Sequence, residues 1–434
     1  MMEKWSKINL TSVTGRNVFW TMTINLLKAG CAALLAWVAA RSFGPEGIGL
    51  LMLLRTSMSI LCLILSAGMP LAVTYYVASK KYPIEDIALS LIVFSLFASA
   101  ITFGLWLLGS PFLHQRYFPF LTPHQILLAG LLAPMILGNQ MASRLLQGKQ
   151  NYLAANSILM AADLAILITL WSLVLLQPKP DYRLILEAVL IGEGMSFLLG
   201  LGLVMRLGIR PRLRLHFPFL REALSYGIRG QIGAIVNIMN YRLDLLILGF
   251  FATPAVVGLY GLASKFAEVL RVLPNAVAFV YMPRFGKRAF AEAARMAEET
   301  FYLLMMINLG LVVAAALLGK ILILTFFGPS FQPAVLPFYI LLLGMAAQGG
   351  NGALSAFHNG TGNPEYSTYA VGLAFLVTLV FDLLLIPPYG ATGAAIASSL
   401  SYATIALALL FFFSRNTGRA FGRFKLWQWN MTKP

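Results

Sequence analysis

The chain has 434 residues, of which 59% are hydrophobic and only 11% charged, with a formal net charge of +16. Soluble domains carry about 25% charged residues, so a water-soluble fold is excluded: too little polar surface exists to cover so much apolar mass. A nucleic-acid partner, which the charge alone suggests, is excluded too, because the basic residues fall between long apolar runs.

About 20 apolar residues cross a bilayer once, and breaks at Gly, Pro and charge divide the chain into twelve predicted spans. The first, 17–40, follows a polar, basic leader and carries Lys28 near its middle. The run is long enough to span, so no cleavable signal peptide is expected. The second, 47–78, has Arg55 two turns in, then Gly68 and Pro70. Spans 84–109 and 122–147 follow, the latter with Pro134 and Asn139. Asp163 lies mid-way in 152–176 and Glu193 mid-way in 184–206. The seventh span, 222–250, contains Arg229, Arg242 and Asp244; the eighth, 254–282, contains Lys265, Glu268, Arg271 and Pro274. Spans 298–326, 332–358 (rich in glycine at 344–352), 364–386 and 390–414 complete the set. Glu187 and Asp382 sit near span ends and call for no special role. Cys31 and Cys62 lie in apolar runs and read as small packing residues, without metal-ligand spacing.

The loops are short, and their charge is lopsided. With the N-terminus on the cytoplasmic side, 21 of the 32 Lys and Arg residues face the cytoplasm, 5 face outward and 6 lie within spans. Such an excess orients the chain with both termini cytoplasmic and an even number of spans.

An internal echo runs through the sequence. FGPEGIG, from Phe43, returns as FATPAVVG, from Phe251, with Gly49 aligned on Gly258 about 209 residues later. A second pair, QGKQNYLAANS from Gln147 and NGTGNPEYSTY from Asn359, is offset by 212. The two offsets predict two six-helix halves, 1–215 and 216–434, of the same topology. Parallel repeats of this kind build transporters that rock about a site between their lobes.

The stretches FGPEGIG, AGMPLAVTYYVA and YRLDLLILGFFATPAVVGLYGLASKFAEVL resemble the bacterial polysaccharide-biosynthesis flippases of the O-antigen type. These share a superfamily with multidrug and toxin extruders and lipid II flippases. The matching positions are Asp244, Gly258, Tyr260 and Lys265. The opening is also similar to sporulation-associated members, and twelve helices argue against the lipid II branch, which usually has two more. The resemblance implies an all-α integral membrane fold of about 12 transmembrane helices, in two six-helix lobes around a central cavity, MATE-like. It also implies a bacterial cytoplasmic-membrane location.

Ionisable groups within a bilayer cost about 2.5–3.5 kcal/mol each on insertion scales, so each asks for a reason. Lys28, Arg55, Arg229, Arg242, Lys265 and Arg271 are candidate substrate-binding cations for a phosphate or pyrophosphate headgroup, which Arg grips in a bidentate way. Asp163, Glu193, Asp244 and Glu268 are candidates for ion coupling or for structural ion pairs. Lys265, Glu268 and Arg271 share a helical face at i, i+3, so Glu268 can simply neutralise its neighbours. Arg229 and Arg242 can snorkel, and Asp163 or Glu193 can pair with Lys28 or Arg55. Asn25, Asn139, Asn237, Asn240 and Asn351 can meet sugar hydroxyls or bond between helices.

The leading expectation is a flippase for an undecaprenyl-type lipid-linked oligosaccharide, working by alternating access for export or assembly of a surface polysaccharide. Its partners would be that lipid, the surrounding membrane lipids and other polysaccharide-assembly proteins. No cofactor is expected, and no nucleotide site, since a Walker motif is missing. A multidrug exporter of the same fold would favour an acidic lumen. A membrane glycosyltransferase or ligase would need an outer loop bearing carboxylates, and the longest, around 110–121, offers His114 and Arg116 but no acid. A non-transporting scaffold would tolerate loss of the intramembrane charges.

Overall fold

A computed structural model describes residues 13–177, 181–209, 212 and 214–418, with the side chains of 13–26, 29 and 279 excepted. Of the basic residues that orient the chain, Lys4, Lys7, Lys179, Arg210, Arg419, Arg423, Lys425 and Lys433 lie outside the described residues, as do the side chains of Arg16 and Asn25.

Fourteen α-helices and no strand occur among the described residues: α1 Val13–Leu65, α2 Met69–Ala78, α3 Ile84–Phe112, α4 Pro123–Ala129, α5 Leu132–Gly148, α6 Tyr152–Leu176, α7 Ile185–Met205, α8 Phe217–Phe251, α9 Pro254–Glu268, α10 Val272–Gly286, α11 Phe290–Phe327, α12 Val335–Ala347, α13 Asn351–Gly360 and α14 Pro364–Thr417. Nine helical stretches among the described residues are long and apolar enough to cross a membrane. Two of them are helix pairs joined at a glycine. α1 bends at Gly44 (φ 68°) and α14 at Gly390 (φ 53°), left-handed angles that a residue with a Cβ rarely adopts. α9 and α10, parted at Val269–Arg271 and carrying Lys265, Glu268 and Arg271, are not among the nine. Twelve spans were predicted, and nine apolar stretches, two of them paired helices, are found among the described residues.

Three of the breaks inside spans have one cause. Proline lacks an N–H, so the carbonyl four residues earlier loses its helical partner. Pro70 accounts for the turn at Ser66–Gly68, Pro134 for the turn at Gly130–Leu131, and Pro274 for the 3-10 turn Val269–Arg271. Elsewhere the starts are conventional. Thr122 and Gln125 form a capping box, and Asn151 accepts from the Ala154 N–H.

The described chain forms two compact units: Met1–Ile238 with Leu245–Gly261 and Leu324–Phe331, and Met239–Asp244 with Leu262–Ile323 and Gln332–Pro434. The first packs Met69, Ala72, Val73, Tyr76, Leu145 and Phe219 into one cluster. The second is richer in small residues, with Ala293, Ala294, Ala297, Ala353 and Ala370 beside Phe285, Phe301 and Phe357. Small side chains let helix backbones approach where no hydrophobic effect drives them together. Similar contacts recur in the two units: Gly148 meets Val77 and Thr74 in the first, and Gly360, 212 residues on, meets Met282 and Phe285 in the second, each 208 residues on. Outward, Leu108, Leu176 and Leu343 are each more than 70% exposed. A surface of this kind suits lipid.

Candidate functional site

Each unit buries one cluster of charges. In the first, α6 and α7 approach so closely at Gly192 that a Cβ there would lie 2.9 Å from the Ala162 carbonyl oxygen. The next residue on each helix is an acid, Asp163 and Glu193, and both converge on Arg55 of α1. Arg55 Nη1 donates to Asp163 Oδ1 at 2.6 Å, and Nη2 lies 3.6 Å from Glu193 Oε1. Asn139 Nδ2 of α5 donates to Glu193 Oε2 at 3.1 Å. The acid side chains are only 6% and 9% exposed, against 34% for Arg55, so the guanidinium tip bridges buried acids to a more open side. Lys28, half-buried on α1, is within electrostatic reach of Glu193. Two cations therefore balance two acids.

The second unit differs. Arg242 of α8 makes a forked pair with Glu268 of α9, Nη1 to Oε1 at 2.7 Å and Nη2 to Oε2 at 3.2 Å. Lys265 Nζ reaches Glu268 Oε2 at 3.2 Å while its side chain stays half exposed. Glu268 does neutralise neighbours, but its main partner is Arg242 from the preceding span rather than Arg271. Arg271 instead lays its guanidinium over the Tyr241 ring, 3.7 Å from the centroid. Arg242, 24% exposed, is held in this ion pair. Two cations thus share the Glu268 carboxylate, Arg242 also lies within electrostatic reach of Asp244, and Arg271 rests on an aromatic face. Arg229 stands apart: exposed in the first unit, it folds back on its own helix, with Nε donating to the Ser225 carbonyl at 2.9 Å.

A third group, also in the second unit, is polar and almost fully buried. Its members pair along helical faces: Asn240 and Asp244 on α8, Thr378 and Asp382 on one arm of α14, and Ser398 and Ser401 on the other. The bend at Gly390 folds the two arms of α14 together, as the Ser401 hydroxyl donating to the Ala374 carbonyl at 3.2 Å demonstrates. Asn240 Oδ1 accepts from Thr378 and Ser401 at 3.2 and 3.1 Å, and Asp244 Oδ2 accepts from Ser398 at 3.1 Å. Asp382 is 0% exposed, and among the described residues neither of its carboxylate oxygens has a hydrogen-bond partner. It lies within electrostatic reach of Asp244.

Asp382, assigned no role from sequence, is thus the most deeply buried acid near Asp244. The signal was present as i, i+4 spacing, Asn240–Asp244 and Thr378–Asp382, which puts each polar pair on one face of its span. Among the described residues no group of three or more His, Cys, Asp or Glu side chains is placed to hold a metal ion.

Comparison with known proteins agrees with this architecture. The chain is 14% identical to the lipid II flippase MurJ in an inward closed conformation, with a TM-score of 0.74 over 90% of this chain and 87% of that one. A multidrug resistance MATE family transporter of the MOP superfamily, inward-facing, superposes with a TM-score of 0.73 at 14% identity over 89% and 94% of the two chains. The fold is therefore that of the MurJ and MATE transporters. Among curated sequences, the uncharacterized membrane protein MJ1068 of Methanocaldococcus jannaschii is 26% identical over 42% of this chain. The probable flippase AglR of Haloferax volcanii is 28% identical over 42%. The matched stretch spans only 37% and 40% of those relatives' own lengths. Residues 14–289, well over half of the chain, match the polysaccharide biosynthesis protein family. This multi-pass, all-helical membrane protein belongs to the polysaccharide biosynthesis protein family.

Proposed function

We propose that the protein is a flippase that carries a polyprenyl phosphate- or pyrophosphate-linked oligosaccharide across the cytoplasmic membrane by alternating access of two six-helix halves, 1–215 and 216–434. The observation that carries this reading is the arrangement of the second cluster, where Arg242 and Lys265 hold Glu268 while Arg271 lies over the Tyr241 ring. An anionic headgroup would take Arg271 as its counter-charge. Arg271, held over Tyr241 with no carboxylate salt bridge among the described residues, offers its N–H donors to phosphate oxygens. Lys265 adds a mobile point charge. Family membership and the likeness to a probable flippase support the lipid-linked substrate.

In this reading Arg55 organises the first cluster and reaches substrate only with its exposed face. Asp382 is the coupling carboxylate: an acid buried this fully, with no hydrogen-bond partner among the described residues, requires a proton or an alkali cation. An ion gradient or the membrane potential then supplies the driving force.

A multidrug exporter of organic cations is the competing reading, and the sign of the cargo separates the two. Purified protein in proteoliposomes should move a fluorescent pyrophosphate-linked oligosaccharide lipid across the bilayer and leave a cationic dye untransported. Export of the dye with no movement of the anionic lipid would overturn the flippase assignment.

A further inference from the structure

The aligned glycines of the internal repeat meet each other. A Cβ built on Gly49 would lie 1.8 Å from the Pro254 carbonyl oxygen and 3.0 Å from the Gly258 nitrogen. A Cβ on Gly258 would lie 2.0 Å from the Pro45 carbonyl oxygen and 2.9 Å from the Gly49 nitrogen. The contact is reciprocal: Pro45 and Pro254, like Gly49 and Gly258, stand 209 residues apart. A local two-fold therefore relates the two segments, backbone against backbone. Ile48, Leu50, Val257 and Tyr260 around it are fully buried. Gly68 and Gly227 also meet backbone to backbone, but they stand 159 residues apart and are not aligned by the repeat, and a Cβ at Gly372 would have nothing within 4 Å.

We infer that the Pro45–Gly49 and Pro254–Gly258 segments form the outer gate, a glycine seam that must part whenever the protein opens outward. The placement rests on the alternating-access reading above, and on the charge distribution that puts the starts of spans 2 and 8 at the outer face. The physical logic is a two-state one. Hydrogens at Gly49 and Gly258 let two backbones touch, so the closed seam is sealed without interlocking side chains and can separate in one movement. A methyl group at either position meets backbone rather than a side chain that could rotate away, so it penalises the closed state alone and moves the population toward the open one. Gly261 is the graded comparison: its Cβ would meet the Met52 sulfur at 2.1 Å, the end of a flexible chain that can yield.

The test uses the full-length protein in right-side-out vesicles, with Cys31→Ser, Cys62→Ser and the reporter Val257→Cys, and a membrane-impermeant maleimide added outside. Gly49→Ala and Gly258→Ala should each raise the labelling rate by about tenfold. The double variant should add at most about twofold more, because one seam opens only once. Gly261→Ala should raise it less, and Gly372→Ala not at all. Unchanged labelling in both seam variants, with gel filtration showing folded protein, overturns the gate, as does labelling reached only from the cytoplasmic side. Should both variants fail to fold, hydrogen exchange on the unsubstituted protein decides. Amides of 45–50 and 254–260 opening at one common rate support the seam, and independent rates refute it. No lipid-linked substrate is present in these measurements. Labelling that rises in a protein unable to flip any lipid-linked oligosaccharide therefore leaves the gate standing and retires the substrate assignment.

Discussion

The two charge clusters use similar residues for opposite ends. Around Arg55, two buried acids consume the cation, and with Lys28 the group is balanced. Around Glu268, one acid is shared, and Arg271 is left on an aromatic face. The cation on span 2 is fastened to α6 and α7, while on span 8 Lys265 pairs within its own helix and Arg271 rests on Tyr241. The lesson is that a charge inside a membrane protein acquires its role from the acids around it, not from its depth in a span.

That contrast can be broken most forcefully at Arg55. Its replacement by Leu leaves Asp163 and Glu193 buried with no guanidinium, and should cost about 3–5 kcal/mol of stability. A large drop in the melting temperature of the purified protein in detergent checks this; a melting curve like that of the unsubstituted protein would dissolve the distinction between the clusters. Arg271→Gln should do the reverse. Stability should move by less than about 1 kcal/mol, the typical scale of an exposed cation–π contact. Binding of a pyrophosphate headgroup should weaken by about 1.5–3 kcal/mol, the usual worth of hydrogen bonds to charged groups. Titration calorimetry beside a melting curve reads both. Lys265→Gln should have a smaller effect, at most about 1 kcal/mol on stability, because its half-exposed side chain makes a solvent-screened pair. Asp382→Asn should leave the melting temperature equal or higher, since it removes a buried charge that has no hydrogen-bond partner among the described residues. It should also abolish the dependence of transport on an imposed ion gradient, and persistence of that dependence would remove Asp382 from the coupling site.

Much of the fold was legible because span length and the placement of Lys and Arg are dictated by the bilayer itself. Gly44, Gly68 and Gly350 lie at or beside breaks in the helices, and Pro134 and Pro274 act four residues upstream, where their missing N–H frees a carbonyl. The pairing of Asp163 or Glu193 with Arg55 was one of two readings left open, because helical periodicity fixes a face but not the neighbour that face will meet. Gly192, whose small size brings α6 onto α7, decides it. Asp382 was missed for a related reason. Counted along the chain it lies close to the end of its span, but the hairpin at Gly390 packs the second arm of α14 over it. Arg271 shares a helical face with Glu268, and the i, i+3 rule points it there. Tyr241, on another helix, takes it instead.

The central claim is that the cluster around Glu268 binds an anionic headgroup through the cation left over. The affinity of the purified protein for a short-chain polyprenyl pyrophosphate oligosaccharide, compared between the unsubstituted chain and Arg271→Gln, tests it most directly. The account predicts a loss of about tenfold or more, corresponding to about 1.4 kcal/mol, with melting temperatures that match. Equal affinities in two equally stable proteins would contradict it.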